Sequence, residues 1–328
     1  MHRWIKTLSI LVFLLPGCSD DDTTPTTPAL PEISGQLVLI PAGSFIMGSP
    51  AEELGHLGEE SLHPVTLTNN FYMFSTEVTN QQYADLAQWA LDNDYCTVIG
   101  TRIFDKLDGS DLELLDMDDD EDCEISYDGA RFVIDPGFEN HPVKEVRWFG
   151  AAAYCDWLSM KDGLPRAYDH SDPTSWKCNN DQPYSALGYR LPTEAEWEYS
   201  CRAGTTTAFS GGNISEIGCG SEPSLSEQGW YCGNASGWTN RVAMRLANAF
   251  GLYDMHGNIW EWCNDWYDNT YTEQEINPIG PPPIRYKVLR GGAWSDTARR
   301  CRSAARLNPS PHLGVDGRHG FRYVLTAD

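Results

Sequence analysis

Glycine and proline interrupt this chain so often that no apolar pattern runs further than a short helix or a single strand. The 29 Gly and 20 Pro separate pieces of strand length, and such residues break helices and central strands alike. A core built from these pieces must come from large side chains, and the chain supplies 12 Trp and 15 Tyr. Rings bury much area per residue. The pattern implies an irregular, loop-rich fold with an aromatic core and argues against a helical bundle. No internal repeat of fixed period is visible.

The pieces can be placed in order. Leu37–Met47 alternates like a hairpin turning at Pro41-Ala42-Gly43, and Pro64–Thr68 and Phe71–Phe74 read as further strands. Thr79–Asp92 has helical spacing at Tyr83, Leu86, Ala87 and Ala90, with Thr79 or Asn80 as its cap. Trp148–Lys161 reads as a second helix, and Thr193–Cys201 as a third opened by a Thr193/Glu196 capping box. In that third helix Glu194, Glu196 and Glu198 suit the positive N-terminus, and Trp197 reads as core. Two polar stretches, near 95–140 and 163–186, look inserted, and the first contains the acidic run Asp116–Asp122. That run lacks the spaced ligands and glycine of an EF-hand loop, so a solvated loop is expected. Ser210–Asn248 reads as a Gly- and Ser-rich loop, and Tyr286–Leu325 as short strands punctuated by Gly291-Gly292 and Gly320.

The first 17 residues read as a targeting device. Arg3 and Lys6 precede the apolar run Leu8–Leu15 and then Pro16-Gly17-Cys18, the layout of a signal peptide. About eight apolar residues are too few for a membrane-spanning helix, which needs roughly 20. Leu15-Pro16-Gly17-Cys18 resembles a lipobox, which implies cleavage before Cys18, lipidation of Cys18, and a flexible tether over 18–35. Ser19, where an aspartate retains some lipoproteins at the inner membrane, points to the outer membrane or cell surface. The formal charge is −24 and becomes more negative when Arg3 and Lys6 leave. Such a chain repels nucleic acid and anionic headgroups, so membrane contact is expected through the lipid alone.

Five motifs then carry a resemblance. They are Leu39–Gly48, Glu77–Tyr83, Tyr189–Tyr199 (YRLPTEAEWEY), Gly251–Trp262 (GLYDMHGNIWEW), and Leu289–Trp294 (LRGGAW) with Gly320-Phe321-Arg322. In this order they resemble the formylglycine-generating-enzyme, or sulfatase-modifying-factor, family. The resemblance spans 36–328 and implies one irregular α+β domain related to C-type lectins. It also implies calcium held by the Asp254 side chain, the Gly257 and Ile259 carbonyls and the Glu261 side chain. Hard oxygens on a glycine turn suit that ion.

The same resemblance bears on catalysis. Catalytic members bind copper(I), a soft ion suited to thiolates, through two cysteines after the Gly-Gly turn. Here Asp296 falls at the first position, counted from Gly292, and Cys301, counted back from Ala304-Ala305-Arg306, falls where the family has a structural residue, with a loop about three residues shorter between them. One thiolate facing a carboxylate is a poor copper(I) site, so copper is not expected and no catalytic residue is assigned. The eight histidines are scattered singly, and the helical bundle that supplies histidines in the sulfoxide-synthase relatives is missing. No phosphate loop, nucleophile elbow, H-x-x-x-H or C-x-x-C pattern occurs, so no nucleotide cofactor is expected.

Two functions from different classes follow. The first is an oxygen-dependent enzyme acting on a cysteine of an exported protein or peptide. The second is a lectin-like binding or display module that uses the stretch 294–319. That stretch offers Trp294, Arg299, Arg300, Arg302, Arg306, Asn308, His312 and Arg318, a set suited to small anionic partners or peptides, unless these arginines merely pair with the domain's acids. With Cys18 lipidated, nine of ten cysteines remain for an oxidising compartment. Cys201–Cys301 is expected because their motifs adjoin in the family, and Cys155–Cys263 because both belong to the core. Cys96–Cys123 and Cys219–Cys232 would staple loops, leaving Cys178 odd.

Overall fold

A computed structural model describes residues 36–117, 122–269, 275–311 and 317–327. Cys18, its tether and His312 lie outside the described residues, as does part of the acidic run.

Helix α1 spans Asn80–Asp92 and opens with a reciprocal capping box between Thr79 and Gln82. Helix α2, Trp148–Lys161, is buried along nearly its whole length, consistent with a helix that is apolar all round. Helix α3, Glu194–Arg202, has the Thr193/Glu196 capping box and ends at Ala203 in a left-handed conformation. No helix among the described residues is long and apolar enough to cross a membrane.

The strands form several small sheets rather than one large one. The expected hairpin at Leu37–Met47 does not form. Leu37–Ile40 pairs antiparallel with Phe71–Phe74, whereas Gly43–Met47 pairs with His63–Leu67. The intervening Ala42 N–H donates to Asn70 Oδ1 at 2.8 Å, so Pro41-Ala42 carries the chain from one sheet to the next. Val324–Thr326 pairs with the other side of Phe71–Phe74, which stitches the C-terminal segment to the start of the domain. The central sheet orders Arg306–Leu307, Lys287–Arg290, Trp260–Trp266 and His319–Gly320.

The first inserted stretch is built of short strands over its described part. Cys96–Ile99, Arg102–Asp105 and Glu113–Asp116 make a three-stranded sheet, and Ile125–Tyr127 with Phe132–Ile134 makes a hairpin. The core is aromatic, as the composition implies: Trp148, Trp157, Trp197, Trp260 and Trp262 are all fully buried. A buried indole needs a hydrogen-bond acceptor, and four of the five have one. Trp148 donates to the Cys263 carbonyl, Trp262 to that of Val146, Trp197 to Glu261 and Trp260 to Asp296.

Of the four expected disulfides, Cys219–Cys232 forms. The other three do not, because the side chains point elsewhere. Cys201 contacts the Met255 carbonyl and Ser303, Cys96 the Ala87 carbonyl and Cys123 the Ile125 carbonyl. Cys155, Cys178, Cys263 and Cys301 are likewise buried free thiols.

The two inserted stretches are tied together by a histidine. His170 Nδ1 lies 2.7 Å from Asp105 and Nε2 3.1 Å from Asp156, with the ring stacked on Trp176 at 3.5 Å. Burial pulls its pKa down, but the hydrogen bonds and charges of the two aspartates prevail and raise it above the ordinary value. A raised folded-state pKa gives stability that is complete below the unfolded pKa and is lost as pH rises through the folded one. Replacing His170 by Gln strands two buried carboxylates. Urea unfolding near pH 5.5 is expected to record a loss on the order of 3 kcal/mol. The gap between variant and parent should narrow by about pH 8.5; a gap that widens with pH contradicts the pairing.

Candidate functional site

Helix α3 places three glutamates inside the domain, and each meets an arginine from elsewhere in the chain. Glu194 takes both Arg306 donors at 2.6 and 2.8 Å, and Glu196 takes Arg190 at 2.7 and 2.8 Å. Glu198 accepts from Arg202 Nε at 2.8 Å, from Arg290, and from the Gly48 N–H at 2.9 Å. Two further bidentate pairs stand apart: Arg302 with Glu60 at 2.7 Å for both bonds, and Arg322 with Glu261 at 2.6 and 2.7 Å. Paired donors on a planar guanidinium are the strong form of this contact.

These pairs correct the expected recognition surface. Arg302 and Arg306 are buried and committed to Glu60, Glu53 and Glu194, so neither is presented to a ligand. Arg299 donates to the Gly55 and His56 carbonyls at 2.9 and 3.2 Å, which fastens the C-terminal segment to residues 53–60. Trp294 and Arg300 are half-buried and Asn308 is exposed. Arg318 lies 3.8 Å from Asp296.

The segment that would carry catalytic cysteines has a definite structure. The Gly257 N–H donates to the Gly291 carbonyl and the Trp294 N–H to that of Asn258, at 2.8 and 2.9 Å, so the two glycine turns lie against each other. Gly292 has φ of +80°, and a Cβ there would sit 2.7 Å from Cys301 Sγ. The thiol is thus sealed beneath a position that only glycine fills. Burial pushes its pKa well up, so it stays protonated. Asp296 Oδ2 accepts from the Trp260 indole at 2.7 Å and from the Ala293 N–H at 3.1 Å. Behind Cys301, His256 Nε2 accepts from the Ser210 N–H at 3.0 Å, so its Nδ1 carries the proton and donates to the Cys301 carbonyl at 2.9 Å. Burial lowers its pKa to about 4, which fits a neutral imidazole locking the turn.

Of the residues expected to hold calcium, Glu261 and Gly257 already have protein partners. Both Glu261 oxygens are taken by Arg322, and one also by Trp197 at 2.8 Å. The Gly257 carbonyl accepts the Ile259 N–H at 2.9 Å. What the turn leaves open is a pair the sequence reading did not join: Asp254 Oδ1 and Glu77 Oε2 are buried without a hydrogen-bond partner. Glu77 belongs to one of the motifs, yet nothing in local spacing places it beside Asp254. Burial, then the charge of Asp254, pushes the Glu77 carboxyl well up, while Asp254 is raised to about 6, chiefly by burial. No group of three or more metal-ligating side chains among the described residues is arranged to hold a metal ion. A cavity of about 440 Å³ lies elsewhere, beside Glu194, Asp265 and Trp266. Burial and the charge of Glu194 lift Asp265 there to about 8.

Comparison with known proteins agrees with this architecture. The model of the sulfatase-modifying factor enzyme 1-like domain matches residues 24–327. The formylglycine-generating enzyme of Streptomyces coelicolor is 28% identical over 93% of both chains, and that of Mus musculus 28% identical over 89% of this chain and 77% of its own. A Chlamydia pneumoniae protein named serine/threonine-protein kinase pkn1 is 30% identical over 88% of this chain, which spans only 37% of that relative's length. Among solved structures, Treponema denticola variable protein 1 superposes with a TM-score of 0.65 at 25% identity, covering 88% of this chain and 94% of its own. PvdO from Pseudomonas aeruginosa does so at 0.61 and 25%, with the same coverages. With its motifs, α+β fold and glycine turns all in agreement, the chain belongs to the sulfatase-modifying-factor (formylglycine-generating-enzyme) family.

Proposed function

We propose that this chain is a partner-binding member of its family, exported and held at the outer membrane or cell surface by lipid on Cys18, without copper-dependent oxidation of cysteine. The observation that supports it is the Asp296–Cys301 segment. Copper(I) needs soft, reachable thiolates, and the segment offers one sealed thiol and one carboxylate already held by Trp260. Its partners are exported proteins or peptides, or small anionic molecules. Recognition passes to Trp294, Arg300 and Asn308 in place of Arg302 and Arg306. Calcium stays in the proposal, with Asp254 Oδ1 and Glu77 Oε2 as its side-chain oxygens instead of the four-residue set. Both are hard donors of the kind that ion takes.

The second reading is an oxygen-dependent oxidoreductase that converts a substrate cysteine to formylglycine. It draws on the similarity to enzymes of that name over 93% of the chain. Metal analysis and oxygen uptake with copper(I) and a cysteine peptide separate the two readings. The binding reading expects calcium, no tight copper and no turnover, whereas copper-dependent turnover would sink it. For the anchor, a Cys18→Ser variant is expected to move from the membrane fraction to the soluble fraction. A variant that stays on the membrane contradicts lipidation at Cys18.

A further inference from the structure

Beneath the proline segment Pro281–Pro283 lies a second cavity, of about 210 Å³, lined by Trp176, Trp266, Ile279, Pro282, Asn264 and Lys287. It shares none of the residues of the Asp296–Cys301 segment. Two tryptophans and the prolines form much of its wall, and two of its polar groups are unusual. Lys287 is 2% exposed. Its Nζ lies 3.7 Å from the ring centre of Trp148 and 4.1 Å from that of Trp266. It donates to the Asn264 carbonyl at 2.7 Å, leaving an ammonium with more donors than that one acceptor uses, and it makes no ion pair among the described residues. The Trp176 indole N–H is buried without any acceptor.

Both groups are donors, so a molecule that completes this cavity must bring acceptors. A buried ammonium facing ring walls favours a negative acceptor over a neutral one. Size narrows the choice, because an apolar cavity of roughly 150 Å³ already holds benzene. We propose that this cavity binds a small planar carboxylate, a single ring or its equivalent, with the carboxylate toward Lys287 and Trp176 and the ring among the tryptophan and proline walls.

The neighbouring groups are consistent with that polarity. Burial lowers the Lys287 pKa to about 7, while Asp265, Cys178, Asp181 and Cys263 act in the opposite sense. Asp181, on the cavity lining, is half-exposed and paired with Lys177 at 3.1 Å. Cys178, also on the lining, is pushed by burial to about 12, so it stays a neutral thiol and adds no competing charge. The proposal goes beyond the reading of the Trp294–Asn308 surface and uses none of its residues, so either can fail without the other.

Isothermal titration of the full chain in detergent with benzoate, benzylamine and benzyl alcohol tests it. One benzoate per chain is expected, with the amine and the alcohol at least about tenfold weaker. Affinity for benzoate should fall between about pH 6 and pH 8.5 as Lys287 loses its proton. Lys287→Met should lose about tenfold or more. Trp176→Phe keeps the wall, removes the N–H, and should weaken binding several-fold while leaving the fold intact. Equal binding of benzylamine, no benzoate binding by the parent chain, or undiminished binding by both variants would overturn the proposal.

Discussion

Buried pairing between arginine and carboxylate is the interaction on which the rest of this structure depends. Strands of two to seven residues in separate sheets provide few ladder bonds between distant segments, and helix α3 supplies ties in their place. Glu194 and Glu198, one turn apart on the same face, hold the Arg306 and Arg290 segments, while Glu196 turns back to Arg190. The Gly48 N–H on Glu198 and the Gly48 carbonyl on Arg202 bring in the first strands. A buried ion costs several kcal/mol to desolvate, and only a well-placed partner offsets it. A segment arriving out of place would leave a charge stranded, so the pairs enforce one arrangement on a chain that is mostly loop.

The same pairing positions the candidate site. Arg302 on Glu60, with Arg299 on the Gly55 and His56 carbonyls, fixes the stretch after the Gly-Gly turn. Arg322 on Glu261 fixes the strand that follows the Asp254 turn. His256 then locks the Cys301 backbone from behind. Cys301 is therefore inside the scaffold rather than at its surface.

What was legible in the sequence was local. The Thr193/Glu196 capping box joins residues three apart and appears as read, and Thr79, one of two caps read for the first helix, is the cap and forms a box with Gln82. The aromatic core and the succession of motifs were equally visible. Pairing at a distance was not. Leu37–Met47 alternates as a hairpin does, but which strand each half joins depends on Asn70 and on Phe71–Phe74. Arg302 and Arg306 read as surface anion binders because nothing local places Glu60 and Glu194 beside them. The thiol of Cys201 likewise meets Ser303 rather than Cys301, a matter of side-chain direction that spacing does not carry. Lys287 gave no signal at all, since a lysine in a short strand is ordinary until two tryptophans close over it.

The claim that these pairs hold the fold is tested most directly by a double-mutant cycle at Glu198 and Arg290, read by urea unfolding. Glu198→Gln alone should cost about 3–5 kcal/mol, because it leaves Arg290 and Arg202 buried beside a neutral amide. The double variant Glu198→Gln with Arg290→Met should cost clearly less than the sum of the two single changes. A Glu198→Gln protein within about 0.5 kcal/mol of the parent, the range of an ordinary surface substitution, would contradict the account.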